Sequence, residues 1–343
     1  MAMFKIIHPG FLTLVQDQGR YGYQQFGVPV SGVMDSYAQR VANILVGNDE
    51  GEGVLELTML GPQIEFESDM IIAITGGNLS PSLNGAAIPM WQSIYVKQGE
   101  RLIFQGMKSG CRSYIAFAGG IDVPKVMGSK STYTKGKIGG YEGRPLKAGD
   151  RLQIGVAKEA LISLKGRTVA DKYIPQYTND FEVRVILGPQ DQYFTSKGIE
   201  TFLSNKYVVT NECDRMGFRL DGEVIEHMNG GDIISDGIAF GAIQIPGHGK
   251  PIIMMADRQT TGGYTKIANV ISADLYKIAQ AKPGDQIAFQ AVTVQEAQSA
   301  LKELEQKVLN IKRNCVAREI ICTRQFALKI NGKSYEVKVE ELR

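Results

Sequence analysis

Histidine is scarce in this sequence. Only His8, His227 and His248 occur in 343 residues, too few for a His-rich metal site and poor material for a His-based triad, so no bound metal is expected. The four cysteines, Cys111, Cys213, Cys315 and Cys322, match no zinc spacing, and a chain of this length needs no disulfide framework. No apolar run reaches membrane-spanning length, and the opening MAMFKIIHPGFLTLVQDQG holds too short an apolar run for a secretory signal. An excess of one charge is also lacking. The formal balance of +2 gives no broad field for nucleic acid or an anionic membrane. Neither partner is expected, and the cytoplasm is the expected location. A complete phosphate loop is absent: GSKST at 128–132 has the end of one without the glycine five residues earlier. A G-x-G-x-x-G fingerprint and an H-E-x-x-H pair are absent too. Chemistry, if present, must use carboxylates, Lys, Arg and backbone amides.

What is abundant is glycine, at 39 residues, about 11% of the chain against a usual ~7%. It punctuates short β-branched and aromatic runs that read as strands: MIIAIT (70–75), SIYVK (93–97), SYIAFAGG (113–120), EVRVILG (182–188), DIISDG (232–237) and PIIMMA (251–256). One early helix stands out, DSYAQRVANILVG (35–47), with Asp35 or Ser36 as cap and Tyr37, Val41, Ile44 and Leu45 on one face. Local phrases recur. LGPQIEF (60–66) is echoed by LGPQDQYF (187–194), and QGERLIFQG (98–106), AGDRLQIG (148–155) and PGDQIAFQ (283–290) share a Gly-acid turn before an alternating strand.

The predicted architecture is mainly β: two related barrel-like lobes, 1–165 and 180–290, with a polar connector between them and a tail over 291–343. Two lobes suit a chain beyond the size at which one core usually keeps growing. In the tail, Val294, Ala297, Leu301, Leu304, Val308 and Ile311 follow helical spacing behind a Thr293/Glu296 capping box. FALKINGKSYEVKVEEL (326–342) then reads as a hairpin turning at Asn331-Gly332, which must dock on something to be stable.

Four polar stretches could carry chemistry. VQDQGRYGYQQFGVPVSGVMD (15–35) offers Gln16, Asp17, Arg20, Ser31 and Asp35 among glycines, or is a turn-rich loop with Arg20 paired to Asp17. MGSKSTYTKGKIGGYEGR (127–144) is basic and Gly-rich enough for a mobile anion-binding lid, or is a solvated loop. In NECDRMGFRLDG (211–222), Arg215 and Arg219 could fork onto a carboxylate or phosphate, or pair with Asp214 or Asp221. MMADRQTTGGYTKIANV (254–270) places Asp257, Gln259, Thr260, Tyr264 and Lys266 around Gly262-Gly263. A turn there would aim backbone N–H groups at an anionic oxygen, with Asp257 or Lys266 for proton transfer.

These stretches, in this order, closely resemble the C-subunit family of bacterial ATP-dependent 5-oxoprolinase. The family is also described as allophanate hydrolase subunit 2, as the antagonist of the Kip sporulation-kinase inhibitor, and loosely as biotin-dependent carboxyltransferase. The resemblance runs over about residues 3–290, and GAIQIPGHGKPIIMMADRQTTGGYTKIANVISADL (241–275) is its most specific part. It implies two cyclophilin-like β-barrels, and a hydrolase that opens 5-oxoproline to L-glutamate at the expense of ATP together with its A and B subunits. The B subunit would be the Kip-inhibitor-like partner, and ATP would be shared with it. A regulatory binding protein and a carboxyltransferase component of a urea carboxylase-like system are the alternatives it implies.

The matching blocks fall on Gln16, Asp17, Gly19, Arg20, Ser31, Gly32 and Asp35, then on Arg215, Met216, Gly217, Gln244 and Pro246. They end on Asp257, Gln259, Thr260, Gly262, Gly263, Tyr264 and Lys266. Thr265 and Lys250 depart from the residues frequent in relatives. In the catalytic roles expected here, Lys266 neutralises developing charge, Asp257 orients Lys266 or accepts a proton, and Gln259 with Thr260 reads the lactam amide. Asp17, Arg20 and Asp35 form the facing wall, and Arg215 grips a carboxylate or phosphate. The tail hairpin looks like the first hairpin of a biotin carrier domain, but no Met-Lys-Met site follows, so no covalent biotin is expected on this chain.

Overall fold

The computed structural model describes residues 2–315, 320–330 and 333–342. The fold is mainly β with few helices, as the glycine-punctuated runs predict. Residues 2–154 build two sheets packed face to face. One has six strands, in the order Arg151–Ile154, Ala2–His8, Gln63–Phe66, Arg101–Phe104, Pro81–Leu83, Ala86–Ala87. The other has five: Leu12–Gln16, Val54–Thr58, Ser109–Phe117, Met70–Asn78, Ser93–Val96. Their inner faces share one core in which the Phe4 and Phe117 rings stack at 4.5 Å. The outer face of the five-stranded sheet is covered by the helix Ser36–Leu45. Ala38, Val41 and Leu45 pack there on Ile71, Ala73 and Ala116. That double cover explains why residues 70–74 are apolar without alternation and why the strand Met70–Asn78 is buried along almost its whole length.

The next sheet spans Asp180–Leu187 to Gln286–Ala291. Seven of its eight strands form a closed ring, because Asp180–Leu187 pairs in parallel with Gln286–Ala291 on one side and antiparallel with Thr261–Val270 on the other. Asp232–Gly237 adds to the outer edge of Thr261–Val270. Inside lie Val183, Tyr207, Phe218, Ile243, Ile253, Ile267 and Phe289, with Phe202 of the helix Ser196–Ser204 as a plug.

The three Gly-acid turns share one geometry. In Lys97–Glu100, Lys147–Asp150 and Lys282–Asp285 the acid side chain accepts the backbone N–H of the lysine three residues earlier, at 2.8, 2.7 and 3.0 Å. The glycine between them has φ of 85°, 93° and 90°, the left-handed region that only glycine enters freely. Each turn launches a strand whose buried positions alternate at first. The LGPQ echo has no such basis. Gly61-Pro62 opens the strand Gln63–Phe66, whereas Gly188-Pro189 follows a strand and leads into a 3-10 turn at Asp191–Tyr193.

The tail helix Val294–Asn314 starts at the predicted Thr293/Glu296 capping box. It returns to the N-terminal sheets, where Val308 and Ile311 join the core under Ser36–Leu45 and Arg40 pairs with Glu50 and Glu305. Of the predicted stripe, Ala297, Leu304, Val308 and Ile311 face the core, Ala300 joins them, and Val294 and Leu301 are exposed. Ile320–Ile330 and Lys333–Leu342 pair as a hairpin, and the Asn331-Gly332 turn lies outside the described residues. Phe326, Leu328, Tyr335 and Val339 of the hairpin stay nearly half exposed. Among the described residues, no helix is long and apolar enough to cross a membrane.

Candidate functional site

The charged residues singled out in the sequence converge where the N-terminal sheets meet the eight-stranded sheet. Arg215 follows the strand Lys206–Cys213, and Asp257 sits in the turn after Ile252–Met254. Backbone bonds from Asp257 N to Arg215 O (2.8 Å) and from Met255 N to Met216 O (2.9 Å) hold the two loops together. The Arg215 guanidinium then reaches three acceptors. It bonds Asp257 through Nε and Nη2, both at 3.0 Å, Glu56 through Nη1, and the Gly32 carbonyl through Nη2. Glu56 is itself held by Met34 N (2.8 Å) and the Tyr114 hydroxyl (3.0 Å). Burial alone would lower the Arg215 pKa, but Asp257 and Glu56 outweigh it and hold the group above its ordinary value.

Arg215 is therefore not a free clamp for a substrate carboxylate. Its partners are not the sequence neighbours Asp214 and Asp221 either. Asp214 caps Met216 N and Gly217 N, and Asp221 pairs with Lys250.

Asp17 is also engaged. Its carboxylate accepts from Ser129 Oγ (2.6 Å), Ser131 Oγ (2.5 Å), Lys130 N (2.6 Å) and Gly19 N (2.8 Å). These bonds pin the 127–144 loop into the wall, with Ser129, Ser131 and Thr132 fully buried, so its start is no mobile lid. Arg20 makes no hydrogen bond to Asp17. It donates Nη2 to the Ser131 carbonyl, while its Nε and Nη1 have no partner. Burial lowers the Arg20 pKa, opposed by the nearby charges of Asp17 and Asp257. Ser31, at a left-handed φ of 57°, also presents a buried Oγ without a partner.

Asp35 caps its helix, accepting Ala38 N at 2.9 Å. Its other oxygen takes Gln280 Nε2 at 2.9 Å from the eight-stranded sheet's side of the junction. Burial raises its pKa to about 6, despite those hydrogen bonds. Asp35 thus works in the joint between the two halves, away from any open surface.

Beside this junction lies a cavity of about 450 Å³ on the eight-stranded sheet. Met216 and Gln259, next to Arg215 and close after Asp257 in the chain, line it with Gln244, Ile252, Met254 and Tyr264. Thr260 is half-buried alongside, its carbonyl bonded to Ile238 N. The stretch does not form the expected Gly262-Gly263 turn. Both glycines lie within the strand Thr261–Val270, and neither has a positive φ. Their amides belong to a ladder and do not converge on an oxyanion. Gly262 answers a packing need: a Cβ there would lie 2.6 Å from Ile238 Cδ1 and 2.8 Å from Gln244 Nε2.

Lys266 is not oriented by Asp257. Its ammonium pairs with Asp236, and its backbone N bonds Gln190 Oε1 at 3.1 Å. The structure thus gathers Asp17, Arg20, Ser31, Arg215 and Asp257 at the junction, and Gln259 and Tyr264 in the adjoining cavity. Lys266 stands opposite the cavity residue Gln244 in the ladder, with its ammonium on Asp236 and not on Asp257.

Residues 26–291 match the carboxyltransferase domain family, subdomains A and B. The chain belongs to this family. It is 39% identical over 301 residues to the C subunit of 5-oxoprolinase from Escherichia coli (strain K12), covering 88% of this chain and 95% of that protein. It is equally identical, over 314 residues, to urea amidolyase of Saccharomyces cerevisiae, but there covers 87% of this chain and only 17% of that protein. Among solved structures, Kluyveromyces lactis urea carboxylase superposes with a TM-score of 0.86 at 31% identity, over 99% of this chain and 32% of that one. This carboxyltransferase-domain chain is thus homologous both to a free-standing protein and to one part of much longer enzymes.

Two residues of the site, Glu56 and Arg258, have no role assigned from the sequence. Glu56 is a lone carboxylate in the otherwise apolar strand Val54–Thr58, a legible sign of a buried charge needing a partner. Arg258 has no carboxylate partner among the described residues. It bonds the carbonyls of Ile238 (3.0 Å) and Met255 (3.2 Å) and lies over the Phe240 ring, and burial pulls its pKa down to about 10. Nothing in its sequence context separates it from a surface arginine.

Proposed function

We propose that this chain is the C subunit of an ATP-dependent 5-oxoprolinase, a hydrolase of a cyclic amide that works only with its A and B subunits. The observation that carries the reading is the match to a 5-oxoprolinase C subunit, 39% identical over 88% of this chain and 95% of that protein. In this reading, ATP, shared with the B subunit, activates the lactam oxygen of 5-oxoproline by phosphorylation, and water on the A subunit opens the C–N bond to give L-glutamate. The division into 1–165, 180–290 and 291–343 is kept: the first two parts form the site and the tail serves assembly.

The reading gives the site residues new roles. Arg20 and Ser31 keep unsatisfied donors for an anionic or carbonyl oxygen, and Gln259, Thr260 and Tyr264 border the lactam cavity. Asp17, Asp35, Arg215 and Asp257 hold the walls. Gly262 leaves room for the Gln244 side chain, Gly263 continues the strand against Ile233 and Ser235, and Lys266 steadies that strand through Asp236.

The match to urea carboxylase over 99% of this chain supports a second reading, transfer of a carboxyl group to a urea-type nitrogen. Deleting the gene and measuring cellular 5-oxoproline separates the two. Accumulation of 5-oxoproline, reversed by the restored gene, supports the first reading. Normal clearance rejects it.

A further inference from the structure

The cavity on the eight-stranded sheet holds two polar groups that the protein leaves unsatisfied. Gln244 is buried, yet its Nε2 has no hydrogen-bond partner, and Gln259 Oε1 likewise has none. Buried amide ends are almost always paired, so two orphans lining one cavity mark it as built for a ligand. One end is a donor and the other an acceptor. Each side-chain amide carries both kinds of atom, so the pair offers one donor and one acceptor as placed, and again when both amides are rotated together. Gly262 serves the same arrangement, since a Cβ there would stand 2.8 Å from Gln244 Nε2.

The rest of the wall mixes apolar Ile252, Met254 and Met216 with polar Asn211, Glu212, Asp214 and Arg219, the last paired with Glu212 at 2.9 Å. At Met216 a cation arrives from the N-terminal half: Lys135 Nζ lies 3.1 Å from Met216 Sδ, is exposed, and makes no ion pair among the described residues.

We propose that Gln244 and Gln259 read the C=O and N–H of a cis amide, and that Lys135 takes a carboxylate on the same small molecule. A small ring forces amide N–H and C=O onto one side, where neighbouring donor and acceptor can reach both; an open-chain trans amide points them apart. Urea and primary amides share that one-sided edge, so the glutamine pair alone selects this edge, and the 5-oxoprolinase reading with Lys135 selects a lactam bearing a carboxylate. This rests on the 5-oxoprolinase reading for the identity of that lactam. Opening the C–N bond destroys the cis amide, so the same pair of glutamines recognises the substrate and releases the product.

The test uses the full chain, alone and with the A and B subunits, and three probes in ligand-observed NMR and calorimetry. These are 5-oxoproline, 2-pyrrolidinone (the lactam without the carboxylate) and proline (the carboxylate without the lactam). Gln244→Leu and Gln259→Leu should each weaken both lactams by about tenfold or more, with an unchanged melting temperature. Lys135→Ala should weaken 5-oxoproline and leave 2-pyrrolidinone unaffected, and proline should not bind. Equal binding by proline, no binding of either lactam, or unchanged affinity in both glutamine variants overturns the proposal. In the assembled enzyme, an unchanged KM for 5-oxoproline in both leucine variants would remove the amide reader and leave the function standing. Lactam binding through the glutamines without any conversion of 5-oxoproline would do the reverse.

Discussion

Arg215 and Asp257 face each other across two neighbouring loops and join through a pair of 3.0 Å hydrogen bonds, with both side chains almost fully buried. Through the same guanidinium the pair reaches Glu56 and the Gly32 carbonyl of the N-terminal half. The ion pair is thus a fastener between the halves, set directly beside the cavity.

Asp257→Ala should therefore damage stability as well as activity. Removing one partner of a buried pair leaves an uncompensated charge, at a cost of about 3–5 kcal/mol. Urea denaturation should show the lowered midpoint. Full stability with lost turnover would instead give Asp257 a part in the chemistry itself.

Gln280 is the second fastener. Its Nε2 donates to Asp35 Oδ2 and the Arg112 carbonyl, both at 2.9 Å, and its Oε1 accepts Cys111 N (3.1 Å) and Arg112 N (3.0 Å). Gln280→Leu strands several buried polar groups at once, so a loss of roughly 3 kcal/mol or more is expected. Calorimetry should show a lower transition, or the two halves melting separately. An unchanged single transition would contradict the role.

Asp35 gives the junction a pH dependence. Its folded-state pKa, raised to about 6 from 3.8, means that the folded protein holds this proton more tightly than the unfolded chain. Stability from this group is fully present below pH ~4 and falls as pH rises through 6, by an amount on the order of 3 kcal/mol. Subtracting the stability profile of Asp35→Asn, which cannot titrate, should isolate that fall. A flat difference between pH 4 and 7 would show that Asp35 ionises normally.

Ile311 anchors the tail helix beneath Ser36–Leu45. Ile311→Ala should cost about 2–5 kcal/mol through the cavity it leaves, and should speed amide exchange along Val294–Asn314 first. Exchange unchanged in that helix would mean that its ion pairs, Glu305 to Arg40 and Lys312 to Glu50, hold it instead of this contact.

The elements that were legible in the sequence are those with local causes. The Lys-x-Gly-acid turns carry their own hydrogen bond, the capping box at Thr293 sets its own helix start, and the β-branched run MIIAIT (70–75) marks its own strand. The site was half legible: the right segments were named, but not who pairs with whom. Arg215 looked to Asp214 and Asp221 nearby, whereas its partner Glu56 lies 159 residues away. Gly262-Gly263 read as a turn because adjacent glycines usually make one. Here the missing Cβ at Gly262 clears room for the side chains of Gln244 and Ile238, a need that only tertiary packing creates.

The most direct test is reconstitution of 5-oxoproline-dependent ATP hydrolysis from purified A and B subunits with and without this chain, with glutamate measured as product. The account predicts glutamate and ADP formation only when all three are present, and none with urea in place of 5-oxoproline. Equal turnover without this chain, or turnover of urea in place of 5-oxoproline, would contradict it.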